Sequence, residues 1–357
     1  MERLHIAFLG PVNSGKSTLI NAICGQEVSM VSPVAGTTTD PVRKLAELPG
    51  LGPCVLIDTP GLDDFSVLGE ERKRLTLRVL DEADLVVLVG AMELTAVVPV
   101  IHYSQGESVE SLLERLRKAA PQQEEPFLTG NLVKAGDCVL LVMPQDSQAP
   151  KGRLILPQVQ VLRELLDRGC VPVCCTPESL PSALESLGKA PDLVITDSQV
   201  FARVNAAIPA DCPLTSFSIL LAGAKGDMAV FLEGAKAIDA LKPGDRVLIA
   251  EACTHVPDTE DIGRVKIPAL LRQKVSCHSE RSEESLQIDI AAGNDFPEDL
   301  SPYALIIHCG ACVATRTLVQ RRIKKALRAG VPITNYGIAL AKLTGILDRV
   351  VSPRIRQ

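Results

Sequence analysis

Residues Gly10 to Ser17 read G-P-V-N-S-G-K-S, directly after the apolar stretch LHIAFLG and directly before KSTLINAICG. The first flank reads as a buried strand over 4–10 and the second as a helix from about Lys16, so the glycine-rich turn sits between strand and helix as a phosphate loop requires. Gly10 and Gly15 let the backbone wrap phosphate oxygens, and the helix that follows aims its first amides at negative charge. Lys16 should reach the β and γ phosphates, the Ser17 hydroxyl should hold Mg2+, and Asn13, Ser14, Gly15 and Thr18 complete the phosphate-binding set. The class that follows is α/β: a P-loop GTPase-like parallel sheet domain first, then two smaller α/β domains.

Downstream, strands are expected near Lys44–Leu48, over CVLID ending at Asp58, and over DLVVLVG, with a helix in LTLRVLDEA. Asp58 opens D-T-P-G, so its carboxylate can orient a magnesium-bound water and the Gly61 amide can meet the γ-phosphate. In the polar loop Ala35–Pro41, Thr38 is the preferred second magnesium ligand, and a one-residue shift would pass the role to Thr37 or Thr39. These spacings resemble the switch-containing GTPases. Asn13 resembles the asparagine with which potassium-activated members of that superfamily hold K+ beside the phosphates.

No N-K-x-D, the motif whose Asp reads guanine in that class, occurs in the chain. VVPVIHYSQGESVESLLERL looks like the last strand and helix of such a domain, with the strand from about Val97 to Ile101 and His102–Ser104 at the S-A-K position. The last strand must then pair differently or leave an exposed edge. Leu62 stands where some GTPases carry Gln, so slow turnover is expected.

The chain is long enough for two or three domains. Its 357 residues are 46% hydrophobic and 22% charged, an ordinary globular balance; with aromatics at 3% and no Trp, aliphatic side chains must fill the cores. A formal charge of -6 provides no basic footprint for nucleic acid. The basic run Arg316–Arg328 reads as the solvated face of a helix. No apolar stretch is suited to a membrane span, and no leader precedes the first strand, so a cytoplasmic location is expected. Disulfides are then not expected among the eleven cysteines.

Boundaries are drawn at 1–122 for the nucleotide domain, 130–222 for a middle domain that carries subunit contact, and 224–357 for the last. In the middle domain, DCVLLVMP, VPVCC, DLVITD and CPLTSFSILL read as strands. Cys138, Cys170, Cys174 and Cys212 read as small apolar fillers there. The last domain brings C-T-H, Cys253–His255, at the end of strand RVLIAEA and H-C-G-A-C, His308–Cys312, at the end of strand YALIIHCGAC. Two adjacent strand ends would converge Cys253, Cys309 and Cys312 on one centre. Zinc and a 4Fe-4S cluster with one open iron both suit that set. Cys277 and His278, in the polar insertion CHSERSEES, are minor candidates.

With C-x-H, some fifty residues and then H-C-x-x-C, and with GNDFPEDLSPYALIIHCGAC and PITNYG (Pro332–Gly337) beside them, the chain resembles the iron-iron hydrogenase H-cluster maturation GTPase family (HydF). The resemblance implies cluster ligation by Cys253, Cys309 and Cys312, and His255 or His308 at the fourth iron position or in support of the ligands. It also implies a homodimer through the middle domain. Members act as scaffold or carrier for the diiron H-cluster precursor, work with two radical maturation enzymes, deliver to apo-hydrogenase, and use GTP for regulation. The rival readings are a zinc-stabilised, nucleotide-dependent assembly switch and a tRNA-modification or translation-type GTPase.

Overall fold

The computed structural model describes residues 3–24, 41–61, 76, 78–94, 96–120, 127–145, 154–252, 261–276, 285–293 and 295–355. Thr37, Thr38, Thr39, Leu62, Cys253, His255, Cys277 and His278 lie outside them. Two compact units divide the chain, Met1–Glu125 and Pro126–Gln357.

The first unit runs β1 (Leu4–Leu9), α1 (Lys16–Cys24), β2 (Val42–Leu48), β3 (Gly52–Asp58), β4 (Leu85–Val89), β5 (Val100–Tyr103) and α2 (Val109–Ala119), with residues 78–82 also helical. Strand order is β2-β3-β1-β4-β5, and only the β2–β3 pair is antiparallel. Both faces of the sheet are covered, so β4 is buried at every position, as its unbroken run Leu85–Val89 demands. One face packs Ile6, Phe8, Leu56 and Val87 with Ile20, Leu112 and Leu116. The other packs Ala7, Leu9, Ile57 and Leu88 with Val79 and Ala83.

The shortened sheet closes by pairing β5 directly with β4, Val87 opposite Ile101 and Val89 opposite Tyr103, both strands parallel. Parallel neighbours usually need a helical crossover. Here residues 90–99 make the link, with Met92, Leu94 and Val98 packed on the core beneath. The strand begins at Val100 rather than Val97, because Pro99 has no amide to donate and Val97 is exposed.

The second unit carries two four-stranded, all-parallel sheets. The first has the order β7-β6-β8-β9, from β6 (Cys138–Val142), α3 (Leu156–Asp167), β7 (Val171–Cys175), α4 (Leu180–Leu187), β8 (Leu193–Thr196), α5 (Phe201–Ala207), β9 (Leu214–Ser216) and α6 (Phe217–Lys225). The second has the order β11-β10-β12-β13, from α7 (Met228–Ala240), β10 (Arg246–Ala250), α8 (Ile267–Ser276), β11 (Gln287–Ala291), β12 (Leu305–His308), α9 (Arg316–Arg328), β13 (Ile333–Asn335), α10 (Tyr336–Leu343) and α11 (Leu347–Ile355). CPLTSFSILL is strand only through Ser216. The Ser216 side chain accepts from the Ile219 amide and caps a helix that starts at Phe217.

One core spans both sheets: Leu140, Val142 and Val194 from the first share it with Leu248, Ile306 and Ile333 from the second, through Ile219, Ala222 and Phe231. Helix α7 reaches β13 only because residue 234 is glycine. A methyl group there would lie 2.0 Å from the Ile333 carbonyl oxygen. Gly234→Ala is therefore expected to destabilise the unit by about 3 kcal/mol through overpacking, despite gaining about 1 kcal/mol of helix propensity. A thermal melt of the variant above that of the parent would contradict this close approach.

Candidate functional site

At the end of β1 the chain turns where only glycine fits. A methyl group on Gly10 would sit 2.2 Å from the Val89 carbonyl oxygen, and Gly15 has φ of 89°. Asn13, exposed at the crest, holds φ of 57°, a conformation Asn tolerates better than most residues. Ser14 is half-buried, and Thr18 is exposed on the first turn of α1. Lys16 turns back into the loop: it is 6% exposed, and its ammonium donates to the carbonyls of Pro11 at 2.7 Å and Gly10 at 3.1 Å.

The Ser17 hydroxyl donates to Asp58 Oδ2 at 2.5 Å, which brings the two expected magnesium residues together. Asp58 Oδ1 is buried without a hydrogen-bond partner among the described residues. Burial pushes the Asp58 carboxyl up from its ordinary value, against the Ser17 hydrogen bond and the Lys16 and Lys44 ammoniums. An orphaned carboxylate oxygen beside a hydroxyl suits a divalent cation, so the residues present fit magnesium. Gly61 packs on the loop itself, where a methyl group would lie 2.2 Å from Val12 Cγ2. Thr59, which sequence reasoning passed over, donates from its buried hydroxyl to the Phe8 carbonyl at 2.7 Å and ties the D-T-P-G turn to β1. Its neighbours in the motif were the available signal.

In the second unit β10 and β12 lie side by side, Ala250 opposite His308, so the two expected strand ends do meet. Cys309 begins the turn there, and its amide donates to the Ala250 carbonyl at 2.9 Å. Its sulfur accepts from two backbone amides, Ala252 at 3.1 Å and Ala311 at 3.4 Å. Ala311 has φ of 53°, and Cys309 and Cys312 are both half-buried free thiols. Two amide donors aimed at one sulfur suit Cys309 as a metal-ligating thiolate. Among the described residues no group of three or more His, Cys, Asp or Glu gathers into a metal site.

His308 is fully buried with both ring nitrogens engaged. Nδ1 meets the Cys309 carbonyl at 2.8 Å and must donate, which leaves Nε2 to accept from Arg322 Nη1 at 3.1 Å. Burial first, then the Arg322 charge, lower its pKa to about 3. In the metal-free protein the unfolded chain takes up this proton below about 6.5 while the folded chain resists it. Stability from this group is thus complete above 6.5 and falls toward pH 3, by up to about 1.4 kcal/mol per unit. Urea midpoints at pH 7 and 5 should fall less steeply in His308→Gln than in the parent.

Arg322 corrects the reading of the basic helix as wholly solvated. It is 4% exposed, on the α9 face that carries Val319, Ile323 and Ala326. Its guanidinium also donates to the carbonyls of Glu251 and Gly293 and stacks on Phe296. Tyr336, inside the PITNYG stretch, is buried with no hydrogen-bond partner for its hydroxyl among the described residues. Burial, then the nearby Cys309, hold that phenol well above its ordinary pKa. Of the cysteines expected to fill the middle sheet, Cys138, Cys170 and Cys212 are buried, whereas Cys174 is exposed because β7 is an edge strand.

Three family models match in succession: a 50S ribosome-binding GTPase over residues 5–131, the hydrogen maturase F dimerization domain over 128–226, and the hydrogen maturase F tetramerization domain over 229–353. Among curated proteins the chain is 38% identical over 127 residues to the tRNA modification GTPase MnmE of Chromobacterium violaceum, covering 34% of this chain and 25% of that one. With MnmE of Rhodopseudomonas palustris it is 47% identical over 94 residues, 26% of this chain and 20% of that one. The chain thus spans about a quarter of the length of these relatives. Among solved structures, Aquifex aeolicus Era bound to GDP and AlF4− aligns at 18% identity and TM-score 0.24, covering 84% of this chain and 97% of that one.

Proposed function

Because the chain belongs to the hydrogen maturase F family, with a P-loop GTPase domain ahead of its dimerization and tetramerization domains, we propose that it is a GTP-binding scaffold that matures iron-iron hydrogenase. In this reading residues 1–122 bind and slowly hydrolyse GTP, 130–222 make a homodimer, and 224–357 carry a 4Fe-4S cluster. The observation that carries the cluster assignment is the Cys309 sulfur receiving two backbone amides where β10 and β12 end together. Ala252, one of the donors, is followed in the chain by Cys253. Cys253, Cys309 and Cys312 would hold three irons, leaving one open to the diiron precursor as cargo.

His308 would support the site rather than ligate, since Arg322 occupies its Nε2. That leaves His255 as the candidate for the fourth position when no cargo is bound. In the nucleotide unit Ser17, Asp58 and Thr38 would hold magnesium, which neutralises charge on the β and γ phosphates. Lys16 and the loop amides bind the phosphates, with K+ beside Asn13. The expected partners are two radical maturation enzymes and apo-hydrogenase, in the cytoplasm. Among the described residues no helix is long and apolar enough to cross a membrane.

Anaerobic reconstitution with iron and sulfide tests the assignment. A 4Fe-4S spectrum should form on the parent and be lost in Cys309→Ala and Cys312→Ala. Persistence in both variants, or zinc without sulfide after anaerobic purification, would overturn it. A parallel titration compares GTP with ATP: tighter GTP binding supports this reading, and equal affinity would show that loss of the guanine-reading motif, missing from the chain, has removed base preference.

A further inference from the structure

Helix α6 lies inside the segment matched by the dimerization domain, yet both of its ends hold the cysteine turn that lies inside the segment matched by the tetramerization domain. At its C-terminal end Lys225 is 5% exposed, and its ammonium donates to the carbonyls of Ala311 and Ala314 at 2.8 Å each and of Cys312 at 3.4 Å. From α9, the Gln320 amide donates to the Lys225 carbonyl at 3.0 Å and steadies that end of the helix.

At the N-terminal end the Ser218 hydroxyl donates to Asn335 Oδ1 at 2.9 Å and accepts from the Gly337 amide at 3.1 Å. Asn335 in turn donates to the Cys309 carbonyl at 3.3 Å. The turn also rests on the helix between these ends. A methyl group at Gly310 would lie 3.6 Å from Ser218 Oγ and 3.7 Å from Leu221 Cδ1.

A neutral side chain could fill this space, but a lysine brings a charge whose burial is costly unless negative groups answer it. Carbonyl oxygens answer part of that cost. Thiolates and a cluster carried on the same turn would answer more.

We propose that α6 is the positioning element of the cluster site, and that Lys225 acts through the turn carbonyls to favour the more negative, reduced state of the cluster. Ser218 is the mechanical partner at the opposite end. The assembly segment and the metal site are then coupled through one helix. This inference rests on the reading of Cys309 and Cys312 as cluster ligands.

The test uses the full chain, reconstituted anaerobically, as parent, Lys225→Met, Lys225→Arg and Ser218→Ala. The readouts are iron and sulfide per chain, the rate of iron loss to a chelator, and the midpoint potential followed by electron paramagnetic resonance. Lys225→Met, similar in length and uncharged, should lose iron about tenfold faster, corresponding to one lost set of charge-assisted hydrogen bonds. Its midpoint should move to a more negative potential, and Lys225→Arg should return it toward the parent.

Ser218→Ala should lose iron roughly threefold faster, as loss of a neutral hydrogen bond implies, with no change in potential. A midpoint in Lys225→Met equal to that of the parent overturns the electrostatic role and leaves the lysine a packing residue. Should Lys225→Met fail to fold, an unchanged chelation rate in Ser218→Ala overturns the positioning role. A parent that takes up no iron and sulfide overturns the cluster reading itself, which separates that failure from failure of this inference.

Discussion

Arg322→Met is expected to lower the stability of the second unit by about 4 kcal/mol, a large part of the roughly 5–15 kcal/mol that holds a typical domain folded. The guanidinium serves His308 Nε2 and the carbonyls of Glu251 and Gly293, and all three acceptors lose a donor when it is removed. Methionine restores much of the packing on Phe296 but none of the hydrogen bonds. Arg322→Lys should recover only part of the loss, because a single ammonium cannot reproduce the planar fork. Urea denaturation followed by circular dichroism and tyrosine emission would measure it, since Tyr303 and Tyr336 both lie in this unit and the chain has no Trp. A loss below about 1 kcal/mol would mean that other groups satisfy these acceptors.

Lys16→Ala should weaken GTP binding about 100-fold, the equivalent of roughly 3 kcal/mol for a charge-assisted contact to phosphate. The ammonium is already gathered into the loop by the Gly10 and Pro11 carbonyls. Little side-chain freedom remains to be lost on binding, which favours affinity. Titration with a fluorescent GTP analogue reads the effect. An affinity within threefold of the parent would place the phosphates elsewhere.

Local patterns were the most legible part of this protein. The phosphate loop, Asp58 at the end of β3 and the paired ends of β10 and β12 follow from short stretches whose residue types permit one backbone path. What sequence reasoning missed depends on contacts far along the chain. Arg322 looked solvated because its helix carries six Lys and Arg residues, although its spacing from Val319, Ile323 and Ala326 marks the inward face. Lys225 offered no signal, since its partners begin 86 residues later. The strand expected through Leu221 became a helix because the Ser216 cap and contacts on both sides of α6 outweighed the β-like run FSILL. Pro99 moves the start of β5 by three residues, a local effect legible in the sequence.

The core shared by the two parallel sheets bears on how this protein can be dissected. A fragment ending at residue 226 would carry Ile219 and Ala222 without Phe231, Leu248 and Ile306, and would present to water the apolar surface that those partners cover. Such a piece is expected to aggregate or melt without a sharp transition, whereas residues 126–357 expressed together should give a single calorimetric peak.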